Sequence, residues 1–198
     1  MNNTQISVSK TILFIVCLIP AALLFYNAFT DNLGANPVEA ITLETGTWAL
    51  RFLVLTLTIT PLRKISGWII LTRFRRMLGL YVFFYACLHF LAFIWFDHFF
   101  DLDEMIKDVI KRPFITMGFT SFVLLIPLAM TSTNKMMKRL GGKRWQQLHR
   151  IVYIIPFFVV VHYLWKVKAD IQAVIIYGVV FGVLILYRVW YRYSTRLK

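Results

Sequence analysis

The chain has 198 residues, of which 59% are hydrophobic and only 16% charged. An ordinary soluble domain carries about a quarter charged residues, so that class is excluded. The net charge of +13 would suit a nucleic-acid binder. The cations, however, sit at the ends of apolar runs, the positive-inside pattern of a membrane protein facing anionic lipid headgroups, and no nucleic-acid partner is expected.

Six apolar runs lie at about 10–29, 47–62, 77–97, 114–132, 150–166 and 171–190. Most approach the roughly 20 residues a helix needs to cross about 30 Å of hydrocarbon. The predicted fold is an all-α integral membrane protein, a six-helix transmembrane bundle forming one domain over 10–192. Short tails remain at 1–9 and 193–198, and no soluble catalytic domain of ordinary size fits. The first run is too long for a signal peptide and lacks a small-residue cleavage site, so it reads as a retained helix. After it, residues 31–40 hold turn formers and then a short helix starting at Pro37. The second run is the weakest, containing Arg51 and ending at Thr60-Pro61. Between the third and fourth runs, residues 97–112 are acidic and amphipathic. Leu102, Met105, Ile106, Val109 and Ile110 recur there at helical spacing, which predicts a short helix on the membrane surface. Gly141-Gly142 predicts a helix stop before the fifth span. Cys17 and Cys87 both fall inside spans, which argues against a disulfide framework.

With the N-terminus inside, the inner segments hold sixteen of the 22 Lys and Arg residues, among them Arg196 and Lys198. The outer side holds Arg51, Lys107, Lys111, Arg112, Lys166 and Lys168, together with all nine acids, including Asp170. Both termini are therefore expected in the cytoplasm.

Ionisable side chains at bilayer depth are costly and usually have a task. His89 lies 12 residues beyond the inner start of the third span at Met77, about 18 Å in at 1.5 Å per residue. His162 lies 13 residues beyond His149, about 20 Å in along the fifth span. Two imidazoles at matched depth on different helices point to a haem b iron held from both sides. Interhelical hydrogen bonding is the plainer alternative. Phe83, Phe84, Phe90 and Phe93 would surround His89 with an apolar pocket. His149 sits at the inner interface, and 13 helical steps leave it about 140° out of phase with His162 unless Pro156 kinks the helix. Either a second haem or a quinone or flavin contact fits it, and the third helix offers no histidine opposite. His98, beside Asp97 at the outer boundary, reads as structural.

Arg51 has two readings, snorkelling to the headgroups or pairing with haem propionates in the outer half. For Arg73, Arg75 and Arg76, topology suffices, with anion binding (propionate or flavin phosphate) as a second reading. Trp145, Trp165, Trp190, Tyr187 and Tyr191 lie near span ends as interfacial anchors should.

Several stretches together resemble the MsrQ (YedZ) family. They are Lys143-Arg-Trp-Gln-Gln-Leu-His-Arg150, His162-Tyr-Leu-Trp-Lys-Val-Lys168, and Thr72-Arg-Phe-Arg-Arg-Met-Leu-Gly79 leading to Leu88-His89. Asn36-Pro-Val-Glu39, Thr45-Gly46 and Ile59-Thr-Pro-Leu62 fit as well. The resemblance implies a haem-binding subunit within the ferric-reductase-like transmembrane superfamily, with haem b and FMN as cofactors. It also implies electron transfer from the quinone pool to a periplasmic molybdenum subunit, MsrP, which reduces methionine sulfoxide in envelope proteins. Carried over by position, His89, His149 and His162 are the haem-associated histidines. Ferric reductases often stack two haems between paired histidines, whereas this third helix has one, so two bis-histidine haems cannot form from these three residues. A ferric or cupric reductase would normally need a fused flavin/nicotinamide domain, and a transporter would use its histidines without haem. These are the alternatives in other classes.

Overall fold

The computed structural model describes residues 2–167 and 171–195. Lys168, Asp170, Arg196 and Lys198, which entered the charge distribution above, lie outside the described residues. The described residues are mostly helical, with no strand, and six helical segments are long and apolar enough to cross a membrane. The expected all-α multi-pass bundle is what the chain forms.

The first span is α1 (Asn3–Phe29) and the second α2 (Pro37–Ser66). Residues 37–46 form no separate short helix. Asn36 caps α2, accepting from the Glu39 N–H at 3.3 Å, Pro37 starts it, and the helix then runs without a break past Arg51 to Gly67. Proline at the first helical position and an Asn cap both favour initiation. At the far end Gly67 takes the left-handed conformation (φ +75°), where its N–H reaches the Arg63 carbonyl at 2.9 Å.

The third span is α3 (Thr72–Ala92), continued by a π-helical turn over Phe93–Asp97. Such turns are rare and often mark functional positions. Beyond it Phe99 and Phe100 adopt positive φ of 45° and 65°, folding the chain back so that His98 is buried. The expected surface helix is α4 (Leu102–Lys111), capped by the Asp101 carboxylate on the Asp103 and Glu104 N–H groups. The fourth span is α5 (Pro113–Met130). Two short helices follow, α6 (Asn134–Leu140) and α7 (Gly142–His149), separated at Gly141, as the glycine pair predicted. A 3-10 turn over Arg150–Tyr153 divides α7 from α8 (Ile155–Lys166), which has Pro156 in its first turn. The last span is α9 (Gln172–Ser194).

The α2–α3 and α5–α8 pairs are the most extensive packings, α3 joins them through α5, and α9 covers α2 and α8. One end of the bundle carries the acidic 97–112 segment, and the other the basic 131–149 segment. Outward faces expose large apolar side chains such as Phe14, Leu23, Ile176 and Val183, as lipid contact requires.

Inside, polar side chains satisfy backbone groups that the helices leave open. Pro61 has no N–H for the Leu57 carbonyl four residues back, and the Arg188 guanidinium of α9 donates to that carbonyl and to Leu184. Tyr85 is 1% exposed and inserts into the α1 ladder just past Pro20. Its hydroxyl donates to the Cys17 carbonyl at 2.9 Å and accepts from the Ala21 N–H at 3.1 Å. Tyr81, one turn earlier, donates to the Phe14 carbonyl at 2.7 Å. Phe52 of α2 stacks on both tyrosine rings. Tyr85→Phe should therefore destabilise the detergent-solubilised protein by about 1–3 kcal/mol, because two buried backbone groups lose their shared partner. Thermal unfolding would check this, and an unchanged midpoint would contradict the bridging role.

Candidate functional site: a cavity between two histidines

α3 and α8 bring His89 and His162 together at 6.1 Å between ring centres, with the ring planes 83° apart. The equal depths counted from the sequence thus become a facing pair. Each imidazole is oriented from behind by a backbone carbonyl of another helix. Nδ1 of His89 lies 2.9 Å from the Thr42 carbonyl of α2, and Nδ1 of His162 lies 2.6 Å from the Phe114 carbonyl of α5. A carbonyl can only accept, so each Nδ1 carries the proton and each Nε2 keeps its lone pair. Neither Nε2 has a hydrogen-bond partner among the described residues. This is the state in which histidine binds a metal, with the second nitrogen fixing ring and tautomer.

Glycines make room for both rings. A Cβ on Gly46 would stand 3.1 Å from the His89 ring, and one on Gly118 would stand 2.7 Å from Nδ1 of His162. Any side chain at Gly118 would displace the imidazole or the helix. Sequence reasoning named Gly46 within a motif and missed Gly118. A glycine inside an apolar span was the available signal, since it often marks close approach to a neighbouring helix.

Both histidines line a cavity of about 480 Å³ between α2, α3, α5 and α8. Its walls are mostly apolar, including Leu53, Val82, Phe90, Phe119, Phe122 and Val159. Phe90 and Phe122 stack at 4.6 Å. Of the four phenylalanines expected around His89, Phe90 and Phe93 line the cavity; Phe83 backs it by stacking on Phe122, and Phe84 turns toward Tyr81 and Tyr85. At the acidic end the rim is polar, with Asp97, His98, Asp108, Arg112 and Lys166. His98 packs edge-on against Phe93 at 4.6 Å, and its Nε2 lies 3.5 Å from Asp108.

The donor set fits a haem iron. A metal–imidazole bond is about 2 Å and a ring nitrogen lies about 1 Å from the ring centre, so imidazoles on opposite sides of one iron have centres about 6 Å apart. The observed spacing, the two bare Nε2 atoms and the dry walls agree with that requirement. No group of three or more His, Cys, Asp or Glu side chains suited to a metal ion occurs among the described residues.

His149 lies elsewhere, at the basic end. Its ring stacks on Trp145 at 3.8 Å and its Nδ1 meets the Trp145 carbonyl at 3.0 Å. Trp145 itself donates from Nε1 to the Thr131 carbonyl at 2.9 Å, so it ties α7 to the end of α5 as well as standing near the interface. Nε2 of His149 is 3.5 Å from the Ser132 hydroxyl, which is already directed to the Leu128 carbonyl at 2.6 Å. The 3-10 turn separates His149 from the helix of His162, and His149 does not line the cavity. Arg51 does not line it either. The guanidinium is exposed and sits 4.5 Å from the centre of the Trp48 ring. α2 extends far beyond the predicted run, so Arg51 is well inside the helix and not near its end. At the start of α3, Arg75 bonds Thr60 at 3.4 Å, Arg76 bonds Asn134, and Arg73 is exposed; none of the three reaches the cavity.

Fold and site together define a class: an all-helical membrane bundle with a cavity between two histidine-bearing helices. The sequence profile described as "Ferric reductase like transmembrane component" matches residues 45–162, which takes in both histidines. A protein of Herminiimonas arsenicoxydans is 58% identical over 196 residues, covering 98% of this chain and 90% of the relative. One of Azospira oryzae is 50% identical over 93% of this chain and 80% of the relative, and one of Ralstonia nicotianae 51% identical over 90% and 83%. All three are named protein-methionine-sulfoxide reductase heme-binding subunit MsrQ. The chain belongs to the MsrQ family.

Crowding at the two glycines differs, and this sets an expectation. Gly118→Ala should cost about 1–3 kcal/mol of thermal stability through overpacking. Gly46→Ala, with its nearest contacts at 3.1 Å, should cost less. Melting curves in one detergent would reverse or equalise that order if the glycines did not seat the rings.

Proposed function

We propose that the chain is a haem b-binding membrane electron-transfer subunit. In this reading it passes electrons from the quinone pool to an MsrP-like periplasmic molybdoprotein that repairs methionine sulfoxide in envelope proteins. The observation that carries it is the facing of His89 and His162 across an apolar cavity, each with Nδ1 held by a carbonyl and Nε2 bare. The names of the relatives, heme-binding subunits of a methionine sulfoxide reductase, support it.

Haem b, when bound, supplies one-electron redox chemistry. This chain's residues supply everything around it. His89 and His162 would hold its iron through their Nε2 atoms. The Thr42 and Phe114 carbonyls hold the rings in place and make Nε2 a stronger donor. Phe90, Phe119 and Phe122 keep water from the cavity, and Gly46 and Gly118 let the helices close on the imidazoles. His149 shares the Nδ1-protonated state and would serve a second group at the basic end, where no second histidine faces it. Arg73, Arg75 and Arg76 lie toward the same end, where Arg75 bonds Thr60 and Arg76 bonds Asn134; an FMN phosphate would meet them there, and no step is routed through that cofactor. The substrate reaction would take place on the partner.

The distribution of Lys and Arg supports both termini in the cytoplasm and the 97–112 segment on the opposite side; in this reading residues 10–192 form a single domain in the bacterial inner membrane. Electrons would then leave near the acidic rim, where His89 and His162 lie. A ferric or cupric metalloreductase is the second reading, because the matching family profile covers that class.

The test is a reduced-minus-oxidised absorption spectrum of the purified protein and its His89→Ala, His162→Ala and His149→Ala variants. The parent should show a b-type haem signal, strongly reduced in the first two variants and retained at this site in the third. A parent without that signal, or with an undiminished signal in both His89→Ala and His162→Ala, would overturn the assignment. Deleting this subunit should abolish quinol-dependent reduction of methionine sulfoxide in envelope proteins; unchanged repair with lost ferric reduction would favour the metalloreductase.

A further inference from the structure

The cavity is apolar along its walls and charged at a single rim. Two cations stand there, Arg112 and Lys166, together with Asp97, Asp108 and the buried His98. Arg112 closes α4 and precedes Pro113. Proline restricts the residue before it to extended backbone, and Arg112 shows this at φ −106° and ψ 101°, so its side chain departs from a fixed point. Asp108, one turn back, lies 3.3 Å from Nε, which is one of five donors on the guanidinium. Lys166 follows His162 by four residues on α8, and residues so spaced share a helix face. No carboxylate lies within ion-pair distance of Lys166 among the described residues.

Two cations at one rim of an otherwise dry cavity match a ligand that is apolar over most of its surface and carries carboxylates along one edge. Haem b has that form, with two propionates side by side. We propose that Arg112 and Lys166 receive the two propionates, which orients the porphyrin with its carboxylate edge toward the acidic end of the bundle. This rests on the haem reading above. Arg112 offers a planar fork that suits a carboxylate bidentately, and Lys166 a compact point charge. The half-exposed position of Arg112, 58% accessible, keeps the carboxylates at the water boundary while the ring lies among the phenylalanines. Arg51, set over Trp48 and absent from the cavity, takes no part.

The experiment uses the full chain, produced in haem-depleted cells and held in detergent. It is titrated with haem and, separately, with haem dimethyl ester, in which both carboxylates are methylated. The parent should bind haem at least about tenfold more tightly than the ester, as charge-assisted contacts imply. In Arg112→Gln/Lys166→Gln that ratio should collapse to within about twofold, with ester affinity unchanged. Binding of the ester reports the histidines and the cavity alone, so each variant carries its own control for folding. A ratio in the double variant equal to that of the parent would overturn the proposal, as would a parent that does not distinguish the probes. So would a loss of discrimination in Arg51→Gln with none in the double variant. A parent that takes up neither probe would overturn the haem reading itself.

Discussion

Two backbone carbonyls determine what the membrane histidines of this chain can do. An imidazole in hydrocarbon has two nitrogens to satisfy, and a buried polar atom without a partner is costly. The carbonyls of Thr42 and Phe114 each take the Nδ1 proton of one histidine. That leaves the lone pairs of both Nε2 atoms as the remaining unsatisfied groups, facing a shared cavity. Because Thr42 belongs to α2 and Phe114 to α5, the α2–α3 and α5–α8 pairs are each joined by a histidine as well as by packing. The extensive contact within those two pairs therefore sets ring orientation as well as stability. The two glycines act at the same points, since a methyl group at either would push on the ring that the carbonyl holds.

The same demand shapes the rest of the bundle. Prolines within spans free carbonyls that water would satisfy in a soluble protein, and in a bilayer side chains must do so. Arg188 serves the carbonyl released by Pro61. The Tyr85 hydroxyl bridges the Cys17 carbonyl and the Ala21 N–H of α1, next to Pro20. Both polar side chains reach across to another helix, so each backbone defect also becomes an interhelical tie. This gives α1, most of whose surface faces outward, a specific seat on α3.

Much of this was legible in the sequence because hydropathy and length decide where helices cross a membrane. The six spans, the α4 surface helix, the stop at Gly141 and the matched depths of His89 and His162 all follow from residue counting. The extension of α2 back to Pro37 did not, because Glu39, Glu44 and the threonines between them lower the hydropathy of a stretch that is nonetheless helical. The propionate reading of Arg51, one of its two alternatives, rested on the same count. Counting from a helix end placed too late in the chain set Arg51 near the outer boundary, whereas Arg112 and Lys166 occupy the rim. Which residue of another helix stands behind each imidazole cannot be counted at all, since a carbonyl carries no sequence signal. Gly118 is the nearest trace of that arrangement.

Ligation of one haem iron by both His89 and His162 is the central claim, and electron paramagnetic resonance of the oxidised, full-length protein tests it most directly. Two imidazoles with planes nearly perpendicular, as the 83° between these rings implies, should produce a strongly anisotropic low-spin ferric signal. A purely high-spin ferric signal would mean that one of the two histidines does not bind iron, and would contradict the claim.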